Sequence, residues 1–160
     1  MVGSIHQFLS EDHARLDDLL SRASGSKAID VPAYDAFRAG LLRHIAMEEK
    51  VLFADARMRR GEPLPLAKRL HADHATLASL LVPSPTHALL RTMRALLDEH
   101  NPLEEGDHGF YATCEELAGG DLAVLLARMQ ALPPVRVGSH VDEPRIHEHI
   151  ARMLGSRTKI

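Results

Sequence analysis

Tryptophan is absent from the 160 residues, cysteine occurs once, and aromatic residues make up 4 % of the chain. The single cysteine, Cys114, excludes an intrachain disulfide and points to a reducing, cytoplasmic setting. No apolar run approaches the roughly 20 residues that span a bilayer. The N-terminus "MVGSIHQFLSEDH" lacks a positive region followed by an apolar stretch, so neither a membrane partner nor a signal peptide is expected. There is no excess of positive charge: 19 Lys and Arg against 22 Asp and Glu give a net charge of -3, which argues against a nucleic-acid partner. No segment alternates apolar and polar residues long enough for a sheet. No nucleophile–base arrangement and no phosphate loop stand out.

Histidine, by contrast, is plentiful, with 11 residues. Helical periodicity dominates the chain. A first helix over about 4–23 carries Leu9, His13, Leu16 and Leu20 on one stripe. A second, over about 33–60, opens near Asp30 and Pro32 and carries Phe37, Leu41, His44, Glu48 and Leu52. A third, over about 65–82, carries Leu70, His74, Leu77 and Leu81. A fourth runs from Ser84 or Pro85 to about 117, with Met93, Leu97, His100 and Glu104 inward. The expected fold is all-α: an antiparallel up-down-up-down four-helix bundle over 1–118. Short C-terminal helices over 119–160 form an extension packed on it. The last helix, about 144–154, reads as a cap or as a homodimer helix, with Ile146, Ile150, Met153 and Leu154 as its apolar side. Cys114 reads as an inert small hydrophobe, and Met47, Met58, Met93 and Met129 as core filler.

The chain contains a repeat. "SEDHARLDDLL" (10–20) matches "HADHATLASLL" (71–81), and "LLRHIAMEEKVLF" (41–53) matches "LLDEHNPLEEGDHGFY" (96–111). The order is His13, then His44-x-x-x-Glu48; His74, then His100-x-x-x-Glu104. All six residues sit on stripes otherwise built of Leu, Phe and Met. An isolated buried carboxylate costs several kcal/mol, and an unpartnered buried imidazole roughly 2–7 kcal/mol on transfer scales. Six such groups in one core must compensate one another, and divalent cations are the economical partner. Nitrogen and oxygen donors without thiolate favour iron, manganese or zinc over copper(I).

These residues resemble the hemerythrin-like family in its His-His-Glu cation-binding form, over about residues 6–115. The resemblance implies a four-helix bundle holding two iron ions, bridged by carboxylates and an oxo or hydroxo group, with zinc or manganese as alternatives. By position, His13, His44, His74 and His100 would be terminal ligands and Glu48 and Glu104 bridges. It also implies a protein that binds or senses O2, NO or peroxide, or reports iron or redox status, rather than an enzyme. The alternatives are a di-iron enzyme handling peroxide or oxygen stress, and a metal-storage or interaction bundle without redox cycling. The sequence departs from the oxygen carriers, whose third helix carries HxxxH; here the spacing is His71-x-x-His74. His71 or His108 is a further nitrogen candidate, and the carriers' spacing in the fourth helix would select Glu105. Pro102, between His100 and the glutamates, predicts a local wide turn of the π type that leaves Glu104 inward and Glu105 as second choice. Glu49 reads as solvated.

Overall fold

The computed structural model describes residues 4–157, so residues 1–3 and 158–160, which the expected domain bounds include, lie outside the described residues. The described residues form helices and no strand. None of the helices is long and apolar enough to cross a membrane.

Helix α1 (Ser4–Ser24) is followed by a loop that ends at Asp30, whose Oδ1 accepts the Ala33 N–H at 3.0 Å and caps α2 (Val31–Met47). The chain then continues without a break through one wide π turn (Glu48–Leu52) into α3 (Phe53–Arg60). Gly61 ends α3 at φ 86°, a left-handed conformation that glycine adopts without cost. Helix α4 (Ala67–Leu80) precedes α5 (His87–Glu105), which is capped by the Thr86 hydroxyl accepting the Leu89 N–H at 3.1 Å. Then come α6 (Phe110–Ala118), a 3-10 turn (Gly119–Asp121), α7 (Leu122–Gln130) and α8 (Pro144–Arg157). Helix α1 packs on α2, α5, α6 and α7; α4 packs on α5 and α8.

Two expectations are corrected. The fourth helix is not continuous to 117: it stops at Glu105 and restarts at Phe110. Gly109 makes the tight passage between them, since a Cβ there would lie 2.6 Å from the Glu104 carbonyl oxygen. The wide turn also falls in the other copy of the repeat, at Glu48–Leu52, while Pro102 sits inside α5. Pro102 is tolerated because it lies near the C-terminal end on an exposed face, and the carbonyl it leaves without a donor belongs to exposed Asp98.

The apolar interior is in two parts. One gathers Ile5, Leu9, Met47, Leu52, Leu70, Phe110 and Met129. The other gathers Leu16, Leu20, Phe37, Leu41, Leu77, Met93 and Ile150. On each site-bearing helix a histidine falls between these sets: Leu9–His13–Leu16, Leu41–His44–Met47, Leu70–His74–Leu77 and Leu96–His100–Leu103, with Leu103 partly buried. The histidines and the two glutamates therefore form a buried polar layer between two apolar ones. Met58 is an exception to the core assignment, being 70 % exposed.

Candidate metal centre

Four histidines and two glutamates from four helical segments meet in that layer. Glu48 and Glu104 are fully buried, and His13, His44, His74 and His100 nearly so. Every Nε2 faces a glutamate: His13 to Glu104 Oε2 at 3.3 Å, His44 to Glu48 Oε1 at 3.2 Å, His74 to Glu48 Oε2 at 3.1 Å and His100 to Glu104 Oε1 at 2.9 Å. His74 Nε2 is also 3.4 Å from Glu104 Oε1. Two groups of donors have atoms within 4.8 Å of one another: His13, His44, Glu48 and Glu104, and His74, His100 and Glu104.

The other ring nitrogen of each histidine is held by a second carboxylate. His44 Nδ1 is 2.8 Å from Asp12 Oδ2 and His100 Nδ1 is 3.2 Å from Asp73 Oδ2. His74 Nδ1 is 2.7 Å from Glu49 Oε1 and His13 Nδ1 is 3.2 Å from Glu105 Oε2. The pattern repeats with the sequence. The Asp before each lone histidine serves the His-x-x-x-Glu of its own half, and the Glu after each inner glutamate serves the lone histidine of the other half. These acceptors hold each Nδ1 as the donor and turn Nε2 inward, where it carries a proton in the imidazolium and a lone pair once that proton is lost. Glu49 and Glu105 are thus half-buried hydrogen-bond acceptors, which corrects the solvated reading of Glu49. Glu104, not Glu105, reaches the centre.

Tyr111 was not flagged by any spacing. Its buried hydroxyl donates to Glu48 Oε1 at 2.5 Å and lies 3.1 Å from Glu104 Oε2, 3.2 Å from His13 Nε2 and 3.4 Å from His44 Nε2. In the first half the aromatic residue that follows Glu-Glu is Phe53, five residues after Glu48 where Tyr111 is seven after Glu104, and its ring lies 5.6 Å from that of His74. The two halves are therefore chemically unequal. The only sequence signal was that "LF" after Glu-Glu in one half becomes "FY" in the other.

His71 and His108 are not brought to the centre. The three-residue spacing turns His71 to the rim, where it is exposed and its Nδ1 lies 3.0 Å from Glu49 Oε1. His108 falls in the exposed passage between α5 and α6. Neither adds a nitrogen donor.

The electrostatics are those of a site built for cations. Burial depresses the His44 imidazolium, but Glu48 and Asp12 outweigh it and hold its pKa up at about 10. His13, His74 and His100 are raised in the same way against burial, by Glu104 with Glu105, by both inner glutamates with Glu49, and by Asp73 with Glu104. Burial and the proximity of Glu104 push Glu48 up, yet His44 and His74 hold it down at about 2. Burial next to both glutamates lifts the Tyr111 phenol well above its ordinary range. Burial also lifts the Cys114 thiol, in keeping with an inert residue. Protons can therefore balance this charge, but they do so incompletely: Glu48 Oε2, His74 Nε2 and Glu104 Oε1 are buried with no partner in hydrogen-bond geometry, though their neighbours lie within 3.4 Å. Once those protons are lost, the imidazole nitrogens and the two carboxylates converge as donors, and such an N/O set fits a first-row divalent metal.

A model of the hemerythrin HHE cation-binding domain matches residues 4–129. The chain belongs to this family. Searches of curated proteins and of solved structures returned no match. The hemerythrin match covers α1 to α7 almost completely, ends before α8, and includes every residue of the buried cluster. Hemerythrin domains are helical bundles that bind cations, and this buried His/Glu layer is the part of the chain suited to do so.

Proposed function

We propose that the chain is a di-iron protein that binds or senses a small molecule (O2, NO or peroxide) or reports iron or redox status. In this reading the four site-bearing helices run up-down-up-down over residues 1–118, with 119–160 as the packed extension. His13 and His44 would hold one ion, His74 and His100 the other, and Glu48 and Glu104 would bridge them. Bound iron would supply a redox-active centre with open positions.

The observation that carries the reading is the set of four Nε2 atoms turned inward by four separate carboxylates. A core stabilised by hydrogen bonds alone has no need of that second set. A small hollow of about 30 Å3 supports a small ligand. Its wall includes His13, His44, His74 and His100 together with Leu16 and Leu77. It has room for one or two small molecules, since a water needs about 10–15 Å3 on this measure. Arg94 lines the same hollow and donates to Asp17 at 2.5 Å and to Ser21 Oγ at 2.8 Å.

Metal analysis with absorption spectroscopy on anaerobically purified protein tests this. About two irons per chain, and a spectral change with O2 or NO that reverses on removal without turnover, are expected. Sustained peroxide consumption would favour the enzyme alternative. Zinc alone, or metal exchange with no spectral response, would overturn the sensing role.

A further inference from the structure

A second hollow shares Glu49 and Phe53 with the surroundings of His74 but opens elsewhere, between α3, the 61–66 turn and α4. Its volume is about 830 Å3, in the size range of sites that hold small organic molecules and far larger than the hollow at the centre. The sequence accounts for it. Gly61 reverses the chain at φ 86°, prolines at 63 and 65 stiffen the turn, and Ala54, Ala56 and Ala67 contribute only methyl groups to the walls. The turn is anchored by Leu64, which is buried in the apolar cluster that holds Leu9 and Phe110. The hollow is thus preformed, with Phe53, Met58 and Pro63 as its accessible apolar lining and Leu64 and Phe110 buried behind it.

Its charge is one-sided. Arg57 of α3 and Lys68 of α4 line it, both exposed, and neither makes an ion pair among the described residues. The neighbouring Arg59 and Arg60, by contrast, are engaged by Asp55, Asp121 and Glu62. Glu49 is the one carboxylate in the wall, and it accepts from His71 and His74. Arg57 and Lys68 therefore leave two cations free beside an apolar hollow.

We infer that this groove binds a small organic anion, a carboxylate on an apolar body. The body lies on Phe53, Met58 and Pro63, and the carboxylate is held by Arg57 and Lys68 through charge-assisted hydrogen bonds. The inference does not rest on metal in the buried layer, although Glu49 is common to the hollow and to the surroundings of His74.

The test uses decanoate, measured by titration calorimetry and by displacement of 1-anilinonaphthalene-8-sulfonate, on the full chain. Saturable one-to-one binding is expected, with decylamine failing to compete. Arg57→Gln with Lys68→Gln should raise the decanoate Kd by about tenfold or more, as the loss of charge-assisted bonds implies, with an unchanged melting curve because both residues are exposed. Ala67→Phe should block both probes by filling the hollow. Equal competition by decylamine, full affinity in the double variant, or a mass that doubles with concentration, is unaffected by decanoate and is returned to the monomer by Ala67→Phe would overturn the inference. The last outcome would assign the groove to a second copy of the chain.

Discussion

At the level of single residues, the division of labour between adjacent glutamates is the sharpest consequence of the geometry. Glu104 is fully buried against three imidazoles, whereas Glu105 meets His13 only at its outer nitrogen and is otherwise engaged by Ser10 and His6. Glu104→Ala should abolish stoichiometric metal binding, measured by metal analysis after desalting. Glu105→Ala should keep the metal but weaken its affinity by about 10- to 100-fold, the usual effect of losing an outer partner of a ligating histidine. Equal retention in both variants would contradict the assignment. Tyr111→Phe removes a hydroxyl that donates to Glu48 inside the core. The metal-free protein should lose about 1–3 kcal/mol of stability in urea titrations, because a buried carboxylate oxygen then lacks its donor.

Among the elements, α8 has a role that its position after the family match does not suggest. It packs on α4, and its buried Arg157 donates from Nε to Asp73 Oδ1 at 2.8 Å and from Nη2 to Glu99 Oε2 at 2.9 Å. Asp73 is the acceptor that orients His100, and burial, which pushes its pKa up, is outweighed by His100 and Arg157. Arg157→Gln should therefore loosen His100 as well as α8. The Nδ1–H resonance of His100 in metal-free protein should broaden or shift, while Arg157→Lys restores part of it. An unchanged resonance would confine α8 to packing. At the α5–α6 passage, Gly109→Ala should lower the melting temperature by several degrees, since the Cβ meets the Glu104 carbonyl and about 1–3 kcal/mol is a common cost of overpacking.

For the whole molecule, the buried layer makes stability depend on pH with a predictable sign. His44 is raised from 6.5 in the unfolded chain to about 10, so its stabilising contribution is complete below 6.5 and is lost as pH rises towards 10. Glu48 is lowered from 4.5 to about 2, so its contribution is complete above 4.5 and is lost as pH falls towards 2. Metal-free protein should accordingly be most stable between about pH 4.5 and 6.5, an acidic optimum visible in thermal melts across pH 3 to 10. Metal competes with protons for the same nitrogens, so its apparent affinity should rise with pH and binding should release protons. Metal-loaded protein should lose the alkaline decline, and chelation should restore it. A flat profile in metal-free protein would mean that the layer does not carry the charges assigned to it.

Helix periodicity and the doubled motif made the all-helical fold and the six central side chains legible in the chain itself. His13, His44, Glu48, His74, His100 and Glu104 are marked because polar residues recur on stripes that otherwise pack as core, and that constraint is local. The wide turn was expected at Pro102 and lies at Glu48–Leu52, because an exposed proline near a helix end costs little while the buried Glu48–Leu52 segment must fit its neighbours. Asp12, Glu49, Asp73 and Glu105 sat in view as the repeated Asp-His and Glu-Glu pairs, yet which ring each would meet depends on how the halves face each other. Tyr111, Arg157 and the groove beside α3 and α4 were decided only by the tertiary structure. Their contacts join residues far apart in the chain, and periodicity within one helix says nothing about its neighbour's register.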